Sequence, residues 1–416
     1  MHDCVFKDTL KYTAPTHGDW GLVRIAAMVP ESRMLFVCPS ACGRHGALGA
    51  IDQGFKEQVA YVYIDQADII DGYDKAIRRH TAELLQRLKK QPRAFMLFVS
   101  CLDSLIGTDL DALMRELHAD HPHIAFRYGR MNPISLETST PPAVTAQDAM
   151  FDFLEKTDER TNSVNLLGNL VELCPENELF SCLRACGTDK VNHLSQCRTF
   201  DEFQRMAQSR YNLVLSPIAW LAAENMRKKH GTEYLTLRVT YDMEEVRLAY
   251  EQLLAFFKQE MPCDFTSDAE KTWESIERAR VALGNTPVVL SSGAALKPFG
   301  LAKALCQYGF RVAAVVAEEV LPFDRVAYEW VSNRGDIKII PAQAPTTIQF
   351  KDRLPGAVCI GYDAAYIAGS KHIADLSGDH GMFGYHGIRR LMDMLVHAKK
   401  NEFDLHQLIM DYGLVI

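Results

Sequence analysis

The chain has 416 residues, of which 48% are apolar and 24% charged, and a formal net charge of −8 at pH 7. Its length exceeds what one hydrophobic core serves, so two or three domains are expected. The acidic balance argues against a nucleic-acid or anionic-membrane partner, and no apolar run approaches the ~20 residues of a membrane span.

The opening MHDCVFKDTLKY has no signal-peptide core, so the chain reads as cytoplasmic. Residues 14–28 read as a loop entering a short helix. Met34–Val37 and Val59–Ile64 read as strands, separated by the turn-rich Cys38-Pro-Ser-Ala-Cys42-Gly-Arg-His-Gly46. A long amphipathic helix is expected over Tyr73–Lys90. The apolar, β-type Phe95–Ser100 follows, and then Leu110, Leu113, Met114 and Leu117 recur at helical spacing, with Thr108 or Asp109 placed to cap. His123–Tyr128 closes this unit, and 132–145 reads as a Pro- and Thr-rich linker. In the second unit Val164–Leu167 and Tyr211–Leu215 are expected strands, with helices over Glu178–Ala185, Phe200–Ala207 and Pro217–Lys229. In the third, Pro287–Leu290, Arg311–Val316, Ile337–Ile340 and Ala357–Ile360 are strands, and Gly387–Lys400 is a closing helix. Alternation of strand and helix throughout predicts an α/β protein of three Rossmann-like domains with parallel sheets, over residues 1–145, 146–280 and 281–416.

Eleven cysteines without a secretion signal suggest reduced thiols, with metal or redox chemistry ahead of disulfides. Cys38 and Cys42 follow one strand and Cys101 follows another. In open α/β sheets that crevice is where ligands bind, and three thiolates converging there could hold an iron–sulfur cluster; a structural loop with free thiols is the competing reading. Cys174, Cys182, Cys186 and Cys197 form a second group, better read as structural because Leu179 and Leu183 share the helix face. Three histidines, His372, His380 and His386, lie among glycines near Asp375 and Asp379 and could line a pocket. The turn Ser291-Ser-Gly-Ala-Ala-Leu-Lys297 has the form of an anion-accepting turn with a cation at the next helix start. No Gly-x-x-x-x-Gly-Lys-Ser/Thr occurs, so ATP binding in the P-loop manner is not expected.

Together these motifs resemble the nitrogenase component 1 superfamily. Cys101-Leu-Asp-Ser-Leu-Ile-Gly-Thr-Asp109 looks like the family's Cys-x-x-x-x-Ile-Gly-Asp-Asp box after a strand. Cys42 falls where the family has the cysteine of His-Gly-Pro-x-Gly-Cys. Asn212-Leu-Val-Leu-Ser216, Leu296-Lys297-Pro298 and Gly384-Tyr385-His386-Gly387 resemble three further family segments, in the same order. The resemblance implies three α/β domains around a central cleft and an iron–sulfur cluster at a subunit interface. It implies electrons from a separate ATP-hydrolysing P-loop iron–sulfur reductase, and a homologous second subunit in a homodimer, heterodimer or tetramer. Cys42 and Cys101, with Cys38 as third, are then cluster ligands. His372, His380 and His386 are candidate proton donors because imidazole titrates near neutrality, Lys297 could hold an anionic substrate or cofactor arm, and Ser216 falls at the place of a second metallocofactor in the cleft. Two departures bear on activity. Thr13 and Ala14 stand where many members carry an earlier cluster cysteine, which favours a four-iron cluster over a larger one. Ser216 replaces the cysteine that anchors the nitrogenase cofactor, and an alkoxide is a poor ligand for soft iron, which argues against dinitrogen reduction. The expected function is the substrate-reducing component of a nitrogenase-like reductase; the alternative is a non-catalytic scaffold for cofactor assembly.

Overall fold

The computed structural model describes residues 25–40, 50, 54–131, 140–258, 263–342 and 344–411. Short apolar, β-branched and aromatic runs give three sheets, all parallel. The first contains β1 (Ser32–Cys38), β2 (Val59–Tyr63), β3 (Ala94–Ser100) and β4 (Ala125–Met131), in the order β2-β1-β3-β4. Every residue of β3 is buried, as a strand covered on both faces requires. The second contains β5 (Thr161–Leu167), β6 (Lys190–His193), β7 (Ser209–Val214) and β8 (Glu233–Thr236), in the order β6-β5-β7-β8. The third contains β9 (Val288–Ser291), β10 (Val312–Ala317), β11 (Lys338–Pro341), β12 (Val358–Ile360) and β13 (His372–Ala374), in the order β11-β10-β9-β12-β13.

Contacts divide the chain into two compact units. One comprises Thr13–Leu170 and Asp189–Thr236, the other Val171–Thr188 and Leu237–Ile409. In the first unit a single core joins two sheets: Met34, Phe36 and Phe98 pack with Phe153, Phe203 and Val214. The other face of the first sheet, through Leu35, Val37, Leu97 and Val99, packs on Tyr73, Ile77, Leu113 and Leu117.

In each sheet the chain first winds one way and then crosses to the other, so each has one point where the strand order reverses. These points lie between β1 and β3, between β5 and β7, and between β9 and β12. There the connections leave in opposite directions and open a crevice beyond the strand ends. The motifs singled out in the sequence fall on all three: Cys38 and Cys101 at the first, Ser216 at the second, and the Ser291–Lys297 turn at the third.

Most expected elements form; β6, β8 and the helices Met243–Phe256 and Thr266–Leu283 lie outside the expected elements, and three expectations differ. The stretch read as a linker becomes helical from Pro142 to Phe151, with proline in the first turn where its missing N–H costs nothing; residues 132–139 lie outside the described residues. The long helix begins earlier, at Gln66, and breaks at Gly72 (φ 117°, ψ 106°). His372 lies in β13, the three-residue edge strand of the third sheet, in a segment read as loop.

Candidate functional site

The first switch point is built by the two cysteine-bearing strand ends. Register pairs Val37 of β1 with Val99 of β3; continued by one residue, it sets Cys38 beside Ser100, next to Cys101, on strands ~4.8 Å apart. Cys38 is 1% exposed. Cys101 is half-buried and opens a one-and-a-half-turn helix, Cys101–Ile106, whose first turn is capped by the Ser100 hydroxyl accepting from the Leu102 N–H (3.4 Å). Gly107, at φ 75°, ends that helix in the left-handed region. Asp109 then caps the next, Leu110–Asp120, accepting from the Ala112 N–H at 2.9 Å. The Ile-Gly-Thr-Asp part of the box is thus a helix stop followed by a helix start, and it fixes where Cys101 stands.

Polar groups crowd this crevice. Asp103 is buried and meets the Arg130 guanidinium at 3.5 Å; burial raises its carboxyl above the usual range against the opposing pull of Thr108 and Arg130. The Tyr61 and Tyr73 hydroxyls are both buried and have no hydrogen-bond partner. Both rings feel the charge of Cys38, and burial is the main cause that pushes both phenols above their usual range. On the outer side of the Cys101 helix, Leu105 is 82% exposed and Ile106 37%. Soft sulfur donors on adjoining strand ends, with unpaired hydroxyl donors nearby, are a donor set suited to an iron–sulfur cluster. Cys42 lies outside the described residues. Among the described residues, no group of three or more His, Cys, Asp or Glu side chains is arranged around a metal position.

At the second switch point the strand ends close on each other. Gly168 (φ 88°) brings the end of β5 so near Ser216 that a Cβ there would lie 2.7 Å from the Ser216 carbonyl oxygen. Ser216 is half-buried and starts a short 3-10 turn without capping it through its side chain.

At the third, the anion-accepting turn is real but already filled by the chain's own carboxylates. The Leu296 N–H (2.8 Å) and the Tyr241 O–H (2.8 Å) donate to Asp379. The Phe299 N–H (2.9 Å) and Gly300 N–H (2.8 Å) donate to Asp324 at the start of the Pro298–Gln307 helix. Burial pushes each of these carboxyls up to about 6. The Lys297 ammonium pairs with Glu245, which Lys297 and Thr240 hold below the usual range although burial raises it.

The three histidines have different surroundings. The His372 Nδ1 lies 3.0 Å from the carbonyl oxygens of both Ala398 and Asn401, tying β13 to the end of the closing helix. His380 sits in the preceding turn, its N–H donating to the Ser377 carbonyl. Only His386 lines the cavity of about 770 Å³ that also takes Lys271, Arg278, Arg389 and Arg390; burial, then Arg389 and Arg390, lower its pKa. The second cysteine group divides. Cys182 is buried and its thiol meets those of Cys263 and Cys186, with burial raising its pKa, while Cys174 donates to Glu176.

Glu178 is the residue that local sequence reasoning missed. Its buried carboxylate accepts from the Tyr250 O–H (2.8 Å), the Tyr385 N–H (2.6 Å) and the His386 N–H (3.0 Å), capping the Gly384–Lys400 helix. A Cβ at Gly384 (φ 62°) would lie 2.1 Å from its Oε1. The leading glycine of Gly384-Tyr385-His386-Gly387 makes room for that cap. Its only signal is a glutamate some 200 residues upstream, which no spacing rule connects.

Comparison with known proteins shows what the chain is similar to. The model of the nitrogenase component 1 type oxidoreductases matches residues 20–400. The nitrogenase iron-molybdenum cofactor biosynthesis protein NifE of Clostridium pasteurianum is 22% identical over 286 residues, 65% of this chain; the match spans 60% of that relative's length. Among solved structures, nitrogenase Cp1 at pH 6.5 superposes with a TM-score of 0.68 at 15% identity, covering 92% of this chain and 91% of the other. Cp1 at pH 5 gives 0.59 at 14% identity, covering 96% and 90%. These likenesses establish the fold.

Proposed function

Because the chain belongs to the family of nitrogenase component 1 type oxidoreductases, we propose that it is the electron-accepting component of a nitrogenase-like reductase. Its cluster ligands are Cys38, Cys42 and Cys101, its electrons come from a separate ATP-dependent P-loop iron–sulfur reductase, and a homologous second subunit covers the cluster. The carrying observation is the first switch point. A buried and a half-buried thiol stand on adjoining strand ends there, two unpaired buried hydroxyls belong to rings that feel the charge of Cys38, and the helix that Cys101 opens exposes Leu105 and Ile106. An apolar rim around a soft-donor site suits burial by another protomer. When bound, the cluster supplies one-electron transfer; the protein's part is to hold it, exclude water through Phe36, Phe98 and Val99, and donate hydrogen bonds to sulfur.

A nitrogenase-type second metallocofactor is not favoured. Ser216 offers a hydroxyl for a soft metal, Lys297 is committed to Glu245, and His372 is committed to backbone carbonyls. Of the three histidines His386 is the one that lines a cavity, which favours it for proton transfer with a bound substrate. The deciding experiment is iron and acid-labile sulfide content of anaerobically purified protein, with electron paramagnetic resonance of the reduced state. Protein free of iron after anaerobic reconstitution sinks the proposal.

The cofactor-assembly relative favours a second reading, a scaffold that holds a metallocluster and hands it on. Substrate-dependent turnover with the partner reductase and ATP identifies the reductase; metal passed to an apoprotein without such turnover identifies the scaffold.

A further inference from the structure

The helix Gln66–Arg87 breaks at Gly72, and Tyr73 is the first residue after the break. Its ring is 3% exposed and packs in the cluster with Val37 and Val99, the last core residues of β1 and β3 before the two cysteines. Its hydroxyl is buried and has no partner. Leaving a buried hydroxyl unpaired forfeits its hydration with nothing in return, and phenylalanine would fill the same space without that cost. Native proteins carry few such groups, and each calls for a reason. Asp103 and Cys38 are both near enough for their charges to act on the phenol, yet neither accepts its proton in a hydrogen bond. Burial, the leading cause of the phenol's upward shift, keeps Tyr73 a neutral donor throughout the working range.

We propose that the Tyr73 hydroxyl donates a hydrogen bond to a sulfur of the iron–sulfur cluster held by Cys38 and Cys101, as a positioning residue that sets the cluster's reduction potential. This rests on the cluster assignment made above. A donor to cluster sulfur favours the reduced, more negative state and so raises the potential. Tyr61, half-buried with an unpaired hydroxyl on the neighbouring strand β2, offers a second donor of the same kind.

The test is Tyr73→Phe, which keeps the ring and removes only the hydroxyl, measured on anaerobically reconstituted full-length protein. Iron and sulfide per chain should stay at the wild-type level. The midpoint potential, read by electron paramagnetic resonance during redox titration, should move to more negative values. An exchangeable-proton coupling to the reduced cluster, seen by electron–nuclear double resonance in H₂O and lost in D₂O, should disappear in the variant. Tyr63→Phe, at a half-exposed position on β2, should leave both readings unchanged. A wild type that binds no iron overturns the cluster assignment and this inference with it. A fully loaded Tyr73→Phe protein with wild-type potential and proton coupling overturns the hydroxyl's role alone.

Discussion

The switch points of the first and third sheets are the same topological feature treated in opposite ways. At the third, the chain satisfies its own crevice: the Leu296, Phe299 and Gly300 N–H groups meet Asp379 and Asp324, and Lys297 meets Glu245. At the first, the crevice keeps the buried hydroxyls of Tyr61 and Tyr73 without partners. A crevice whose polar groups are paired internally is stable without a guest. One that leaves donors unpaired draws stability from whatever completes it. That difference supports the proposed placing of the ligand at the first sheet, with the third crevice chiefly structural.

The largest effect should follow from breaking the first. Cys101→Ala should take iron from a stoichiometric level to near zero, while Asp379→Asn leaves it unchanged. Stoichiometric iron in the Cys101 variant would remove the distinction between the two crevices. Next in size is Gly384→Ala. Its Cβ would meet Glu178 Oε1 at 2.1 Å, and a left-handed backbone adds strain, so a loss of at least about 3 kcal/mol is expected in urea unfolding. A variant as stable as the wild type would show that the Glu178 cap tolerates displacement.

The carboxylates that fill the third crevice make a prediction in pH. Each has a folded-state pKa of about 6 against an ordinary 3.8, so folding favours the protonated form. Their contribution is complete below about pH 4 and is lost as pH rises through 6, by about 3 kcal/mol per group at 1.36 kcal/mol per unit. Carboxylates with lowered pKa values, such as Glu224 and Asp336, act in the opposite sense, so the useful measurement is a difference. The wild type should lose stability relative to Asp379→Asn between pH 4 and 6. A gap that stays constant across that window would mean that Asp379 ionises freely where it lies.

What was legible in the sequence was local. The run from Phe95 to Leu117 carried a strand, two cap signals and a helical stripe within 23 residues, and Asp109, Leu110, Leu113 and Leu117 stand as the spacing predicts. β6, β8 and β13, three or four residues each, are too short for a period to show, and pairing with a longer neighbour defines them. The turn at 291–297 was recognisable as an anion acceptor, but its anions come from Asp324 and Asp379, outside any local window. Glu178 belongs to the same class: its chemistry is set by Gly384 and Tyr250, which folding brings to it. The convergence of the three motifs on three switch points could be seen only once strand order was known.

The smallest effect sharpens the comparison most. The third crevice also holds one unpaired buried hydroxyl, Ser291 Oγ, beneath Gly361 and Ala294. If that crevice is structural, the hydroxyl is only a cost, and Ser291→Ala should leave stability unchanged or raise it by about 1 kcal/mol, since deleting an unsatisfied polar group relieves its desolvation. Tyr73→Phe should do the same in the iron-free protein. The two then part company on loading: iron binding should stabilise the wild type more than Tyr73→Phe, because the phenol gains an acceptor, and should stabilise wild type and Ser291→Ala equally. Thermal unfolding of the four pairings, iron-free and iron-loaded, measures this directly. A loading gain that depends on Ser291 rather than Tyr73 would move the ligand site from the first sheet to the third.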